Sequence, residues 1–273
     1  MIVKLFLINI FTDGLFSGGQ VLVAILRQRS QTALLQTLAR ELKAPVTAYV
    51  LPYQDGFAVR YFTAAGELNS GGYAAPAVAK ALYSSGLAPP DQPLRLEGLN
   101  GSVLLRPSTS LDGGVSLILP PAPAAMPPSA GDRGLPAGLD QSAVLDLLEA
   151  GSYRLICLEK PENFPAAYEP ALGGRLVFSW PLGEAGYGLR CFGTAGEEAE
   201  LPVDLDFHAD LATFWGHRLG QTRLDIRHQA RRPARLRAEL TDEAVELAGK
   251  PQIVYKAVPG ELTEGGAGDF QPA

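Results

Sequence analysis

The alternation of apolar and polar positions changes period several times along the chain, and each change predicts an element. Residues 1–11 (MIVKLFLINIF) alternate as a strand, TDGLFSGG at 12–19 is a glycine-rich turn, and QVLVAIL at 20–26 reads as a buried strand. At 31–43 (QTALLQTLARELK) the apolar residues fall at helical spacing, and Pro45 lies just beyond them. TAYVLP and GFAVRYFT flank the turn YQDG as two further strands. NSGGYAAPAVAKALYSSG then predicts a helix from about 70 to 84, with Pro76 in its first turn and Gly86 as C-cap. LRLEG, GSVLLRP and GVSLILP complete the first half as short strands.

Residues 121–140 are rich in proline and glycine, which cannot sustain a regular ladder and so mark a connection. Beyond it, SAVLDLLEAG reads as a short helix, and YRLICLEK, GRLVFSWPL and YGLRCFG read as strands. DFHADLATFWGHRLG at 206–220 is helical, with Asp204 or Asp206 as N-cap and Gly220 as C-cap. TRLDIRHQA, ARLRAEL, AVELAG and QIVYKAV follow as strands. One eight-residue phrase occurs twice: RYFTAAGE at 60–67 and RCFGTAGE at 190–197, each ahead of a helical pattern. The repeat predicts an α+β protein of two pseudo-duplicated lobes, each a mixed, mostly antiparallel sheet wrapped around a central helix. The expected organisation is an N-terminal lobe at 1–120, the connection at 121–140, a C-terminal lobe at 141–260 and a flexible tail at 261–273, with some chain crossing between lobes. The cleft between the lobes, where both repeats deliver a helix start, is the expected site.

Composition narrows the function. The chain has 273 residues, 47% of them hydrophobic and 19% charged, with a formal net charge of −6. That is a globular composition without the basic excess that phosphate-backbone binding needs, so no nucleic acid is expected as partner. The basic run at 227–240 alternates like a strand hairpin and reads as a solvated sheet face. No apolar stretch is long enough to span a membrane. Cys157 and Cys191 sit in apolar strand patterns and read as buried reduced thiols, which suits a cytoplasmic protein. The three histidines lack metal-ligand spacing, so no metal is expected.

Candidate chemistry clusters at the two helix starts. Ser70, Gly71 and Gly72 leave backbone amides open at the first, either as a seat for a carboxylate or as ordinary capping. At the second start Asp204 and Asp206 stand in corresponding places, where they would repel an anion or simply cap the helix. His208 lies two residues beyond Asp206, either structural or facing substrate.

FTDGLFSGG, LLQTLARELKAPVTAYVLP, VRYFTAAGEL, RCFGTAGEEAELPVDLDFHADLATFW and QARRPARLRAEL, in this order and spacing, resemble the PhzF-like phenazine-biosynthesis family. The resemblance implies the fold of diaminopimelate epimerase, a cleft between the lobes, a homodimer, and cofactor-independent proton transfer on small carboxylated molecules. The catalytic pattern of that family departs here at three places. Where the resemblance calls for a Glu ahead of Thr, in a stretch like LSETAFV, this chain has Val46. Where it calls for GHAT, the chain reads Gly71-Gly72-Tyr73-Ala74-Ala75. Where it calls for EDPATGSAH, the chain reads Glu200 to His208 with Leu201 in place of the acid and Leu205-Asp206 in place of Gly-Ser. Val46 cannot exchange a proton.

The resulting expectation is a cofactor-independent isomerase or cyclase that rearranges a small secondary metabolite. Tyr73, Asp206 and His208 are its catalytic candidates; Val46, Ser70, Gly71, Gly72, Leu201 and Asp204 are its substrate-binding residues. The alternative is an inactive homologue that binds a small molecule or serves as a partner subunit.

Overall fold

The computed structural model describes residues 2–68, 71–99, 101–121, 135–136, 139–164, 175–193 and 205–258. Its first set of strands is β1 (Ile2–Ile10), β2 (Gly19–Leu26), β3 (Val46–Tyr53), β4 (Gly56–Phe62), β5 (Glu67–Leu68), β6 (Leu94–Gly98), β7 (Gly101–Pro107) and β8 (Val115–Leu119), with helices α1 (Thr32–Leu42) and α2 (Ala75–Ser85). The second set is β9 (Val144–Ala150), β10 (Tyr153–Leu158), β11 (Arg175–Pro181), β12 (Gly186–Phe192), β13 (Arg223–His228), β14 (Ala234–Leu240), β15 (Val245–Gly249) and β16 (Gln252–Ala257), with helix α3 (Leu205–Leu219).

The duplication is written in the strand pairing. In the first set β1–β2 is antiparallel, β2–β3 parallel, β3–β4 antiparallel, β4–β6 parallel, and β6–β7 and β7–β8 antiparallel. From β9 to β15 the same orientations recur in the same order. The two sets join where β8 pairs antiparallel with β15, so one ladder runs through the seam. After β15 the chain returns, and β16 pairs with β1.

This repeat corrects the reading of 142–151. The expected short helix is strand β9, the counterpart of β1, preceded by a single 3-10 turn at Gln141–Ala143. Seven residues make a marginal helix, whereas β10 offers them a complete ladder. The two-residue Gly151-Ser152 loop, with Gly151 at φ 56°, is the hairpin signal that decides it. A smaller correction concerns the helix expected from 70: the regular α-helix starts at Ala75, and Gly72–Ala74 form a 3-10 turn before it.

Each set wraps a helix. On α2 the buried residues are Ala75, Pro76, Ala77, Val78, Ala79, Ala81 and Leu82, small side chains that let sheet strands approach on several sides. The C-terminal helix α3 buries Leu205, Phe207, His208, Ala209, Leu211, Ala212, Thr213, Trp215 and Gly216. A single apolar cluster contains residues of both helices and of the inner faces of both strand sets. Outside it lie two smaller clusters: Leu35 and Ala39 of α1 pack with Tyr49 and Phe62, and Ile156, Phe178, Trp180 and Phe192 form the other. No helix among the described residues is long and apolar enough to cross a membrane.

The repeated phrase now has a physical meaning. Tyr61 and Cys191 point inward to the shared core, while Phe62 and Phe192 point outward into the two flanking clusters. Arg60 lies over the ring of Phe62 with its Cζ 5.1 Å from the centroid, and Arg190 lies over Phe192 at 5.0 Å. Residues i and i+2 of a strand share a face, so Arg-x-Phe builds the same cation–π contact in both lobes.

Candidate functional site

The two central helices begin against each other. A Cβ placed on Gly72 would stand 3.0 Å from Cδ1 of Leu205, the first residue of α3. The strand ends around this point are set by register. Val46 opens β3 opposite Val21 near the start of β2, and Thr47 faces Phe62 at the end of β4. On the other side His228, the last residue of β13, pairs with Ala234, the first of β14.

On the N-terminal side Gly71 rests on Tyr61. A Cβ there would meet the ring at 2.1 Å, so only glycine admits this approach. Gly71 and Ala74, which precede the 3-10 turn and α2, make no side-chain capping hydrogen bond. The Gly71 carbonyl accepts from the Ala74 amide at 2.8 Å. The helix dipole at the start of α2 favours an anionic group there. Tyr73 is half-buried against the shared core. Burial drives the Tyr61 phenol well above its ordinary pKa, so it keeps its proton at physiological pH. Tyr61 is a lining residue that the sequence reading passed over, although it sits inside the repeated phrase.

On the C-terminal side His208 is one turn beyond Leu205, on the same helix face. Its side chain is buried, and Nδ1 has no hydrogen-bond partner among the described residues. Burial, and then the proximity of His228, lower its pKa to about 3. The imidazole is therefore neutral at pH 7: a hydrogen-bonding group and not a stored proton. Asp206 is exposed on the first turn of α3. Asp210, one turn on, has its carboxyl pKa raised by burial and then by Asp206.

Val46 is 2% exposed and belongs to the shared core. The site residues named above thus divide: Gly71, Gly72, Tyr73 and His208 gather around the meeting of the helices, Val46 lies in the core at the start of β3, and Asp206 faces solvent. Ser70, Leu201 and Asp204 lie outside the described residues. Cys157 and Cys191 are buried free thiols, and burial, then Asp146, raises the pKa of Cys157.

A separate open groove of about 490 Å³ lies on the strand surface beside Thr109, Ser110, Arg223, Asp225, Arg237 and Glu239. Its charges answer one another, Arg223 with Glu239 at 3.0 Å and Arg237 with Asp225 at 3.3 Å. Nothing there is left to receive a charged ligand without breaking a pair.

Two lobes that bring the starts of their central helices together are the diaminopimelate epimerase-like fold. Among solved structures, a protein of Enterococcus faecalis from the phenazine biosynthesis PhzF family superposes with a TM-score of 0.80 at 22% identity, covering 96% of this chain and 100% of its own. A predicted epimerase of Pseudomonas aeruginosa superposes with a TM-score of 0.72 at 20% identity, over 96% and 100%. The family model described as phenazine biosynthesis-like protein matches residues 8–143. An uncharacterized isomerase of Halalkalibacterium halodurans is 24% identical over 264 residues, 94% of this chain and 98% of the relative. The resemblance to the PhzF family carried by the chain's motifs extends over nearly its whole length.

Proposed function

We propose that this PhzF-like chain is a cofactor-independent enzyme that isomerises or cyclises a small, carboxylated secondary metabolite where α2 and α3 begin, working as a homodimer. The contact of Gly72 with Leu205 carries the reading, because it brings an anion-favouring helix start and an uncharged imidazole to one place. In this reading Gly71 and Gly72, with Ser70, seat the substrate carboxylate through backbone amides. Tyr73 donates a hydrogen bond to the oxygen on which charge develops, and His208 accepts or donates one without changing its own charge. Asp206, from the solvent side, and Asp204 orient a cationic or hydroxylated group. Val46 and Leu201 supply no carboxylate in place of the acids that the family pattern calls for, so the substrate is held in a reactive shape and not deprotonated from those positions.

The burial of Val46 favours a second reading, an inactive homologue that binds a small molecule or serves as a partner subunit. One experiment separates them. The protein is incubated in D2O with dihydro-hydroxyanthranilate, a small carboxylated molecule of the kind the family resemblance implies, and with a panel of small unsaturated carboxylates. Rearranged product that falls at least tenfold in Tyr73→Phe supports the enzyme. Stabilisation by a carboxylate with neither product nor deuterium uptake supports the inactive binder.

A further inference from the structure

The turn after β1 is a clasp between the lobes. The Phe11 carbonyl accepts from the Arg235 amide at 2.9 Å, Thr12 donates its amide to the Lys250 carbonyl at 3.0 Å, and the Gly18 amide donates to the Pro233 carbonyl at 2.8 Å. The Arg232 guanidinium donates to the Gly18 carbonyl at 2.7 Å. Within the turn, the Ser17 hydroxyl accepts from the Asp13 amide at 2.7 Å and donates to the Gly14 carbonyl at 2.8 Å. Gly18 has φ 75°, and a Cβ there would lie 1.9 Å from the Ile10 carbonyl oxygen, so the exit of the turn can only be glycine. The tip of this fastened turn is apolar and turned to solvent: Leu15 is 75% exposed and Phe16 is 73% exposed. Phe16 is held at φ 59°, a left-handed conformation that a bulky side chain adopts only at a cost.

Its place in the fold gives the tip a use. The turn ends at Gly18, immediately before β2, and β2 sets Val21 beside Val46. Its C-terminal partners are the residues that follow β13 and open β14, where His228 pairs with Ala234. His228 in turn acts on His208 in the first turn of α3. The clasp therefore caps the end of both sheets at which both central helices begin.

We propose that Leu15 and Phe16 form a fixed apolar lip at the mouth of this site and select substrates that pair a carboxylate with an apolar or aromatic body. The proposal rests on the carboxylate seat described under Proposed function. The carboxylate enters at the Gly71–Gly72 amides, and the apolar body lies against the lip. Fastening the turn to both lobes before ligand arrives removes the ordering cost that a mobile loop would add to binding.

The test compares sodium benzoate with sodium acetate by isothermal titration, on the full chain and on the Leu15→Ser/Phe16→Ser variant. Both side chains are exposed, so the variant keeps the melting temperature of the parent chain. The expected result is benzoate affinity reduced about tenfold with acetate affinity unchanged. Equal benzoate affinity in the two proteins overturns the lip and leaves the seat standing. Failure of both carboxylates to bind the parent chain overturns the seat, and the lip with it. Unchanged benzoate affinity, together with a drop in oligomeric state by light scattering, overturns the lip and assigns the tip to a contact between copies.

Discussion

Gly72 and Leu205, 133 positions apart in the sequence, touch: a methyl group on the glycine would sit 3.0 Å from Cδ1 of the leucine. One belongs to the approach to α2 and the other opens α3, so this contact fixes the separation of the two helix starts. Gly72→Val pushes on Leu205 and should destabilise the fold by about 1–3 kcal/mol, the usual cost of overpacking. In a Leu205→Ala background the same change should cost at least about 1 kcal/mol less, since the side chain it strikes has been removed. Urea denaturation of the four proteins checks this, and additive effects would mean that the helix starts do not meet.

Gly71 and Gly72 are neighbours but should respond differently to alanine. At Gly72 the obstacle is the end of a flexible leucine, which can turn aside. At Gly71 it is the Cγ of Tyr61 at 2.1 Å, in a ring that is buried and cannot retreat. We expect Gly72→Ala to fall within about 1 kcal/mol of the parent chain and Gly71→Ala to lose more than about 2 kcal/mol. Thermal unfolding of both variants decides it.

These two glycines also show what the sequence could and could not yield. The repeated phrase predicts two lobes because Arg-x-Phe builds the same contact twice, and a contact within one strand leaves its trace in consecutive letters. The run at 142–151, expected as a helix, is short and apolar enough to fit helix and strand alike, and only the pairing order shared with β1 separates them. Tyr61 was passed over for a related reason. Its role depends on the absence of a side chain at Gly71, ten residues on, which no periodicity records. His208 was legible as a residue at a helix start, but its neutrality comes from burial and from His228, and neither is visible in the chain order. Asp206 follows Leu205 on α3, and the turn of the helix alone carries it to solvent.

His208 gives the fold a pH dependence with a definite sign. In the folded chain its pKa is lowered to about 3 from the ordinary 6.5, by burial first and by His228 second. Between those values the unfolded chain binds a proton that the folded chain refuses, so stability falls as the pH drops through that window. The slope from one such group approaches about 1.4 kcal/mol per pH unit. Denaturation midpoints between pH 7 and 4.5 should decline more steeply in the parent chain than in His208→Gln, which carries no titrating group. Parallel declines would show that His208 is protonated in the folded protein.

The ion pair of the first lobe tests the repeated phrase itself. Arg60 meets Glu67 with two hydrogen bonds of 2.6 Å while covering Phe62, and its side chain is 30% exposed. A forked, partly buried contact of this kind exceeds an ordinary surface pair. Arg60→Lys keeps the charge but loses the fork and the flat face, and should cost about 1 kcal/mol. Arg60→Ala also uncovers Phe62 and should cost about 2 kcal/mol. Equal losses in the two variants, measured by urea denaturation, would put the weight on the fork and not on the ring.

A buried relay ties α3 to β11 in the second lobe. The Trp215 indole on α3 donates to the Ser179 hydroxyl at 2.8 Å, and that hydroxyl donates to the Gly188 carbonyl at 2.8 Å. All of this is buried, with Ser179 at 0% and Trp215 at 1% exposure. Ser179→Ala removes one oxygen and leaves both an indole N–H and a carbonyl without that partner. It should cost about 1–3 kcal/mol for each group left unsatisfied, more than any packing change a missing hydroxyl can cause. Trp215→Phe removes the donor as well, so the double variant should lose less than the sum of the single losses. A coupling of at least about 1 kcal/mol in this cycle identifies the hydrogen bond as the tie between α3 and β11; strict additivity would mean that the helix is held by its apolar face alone.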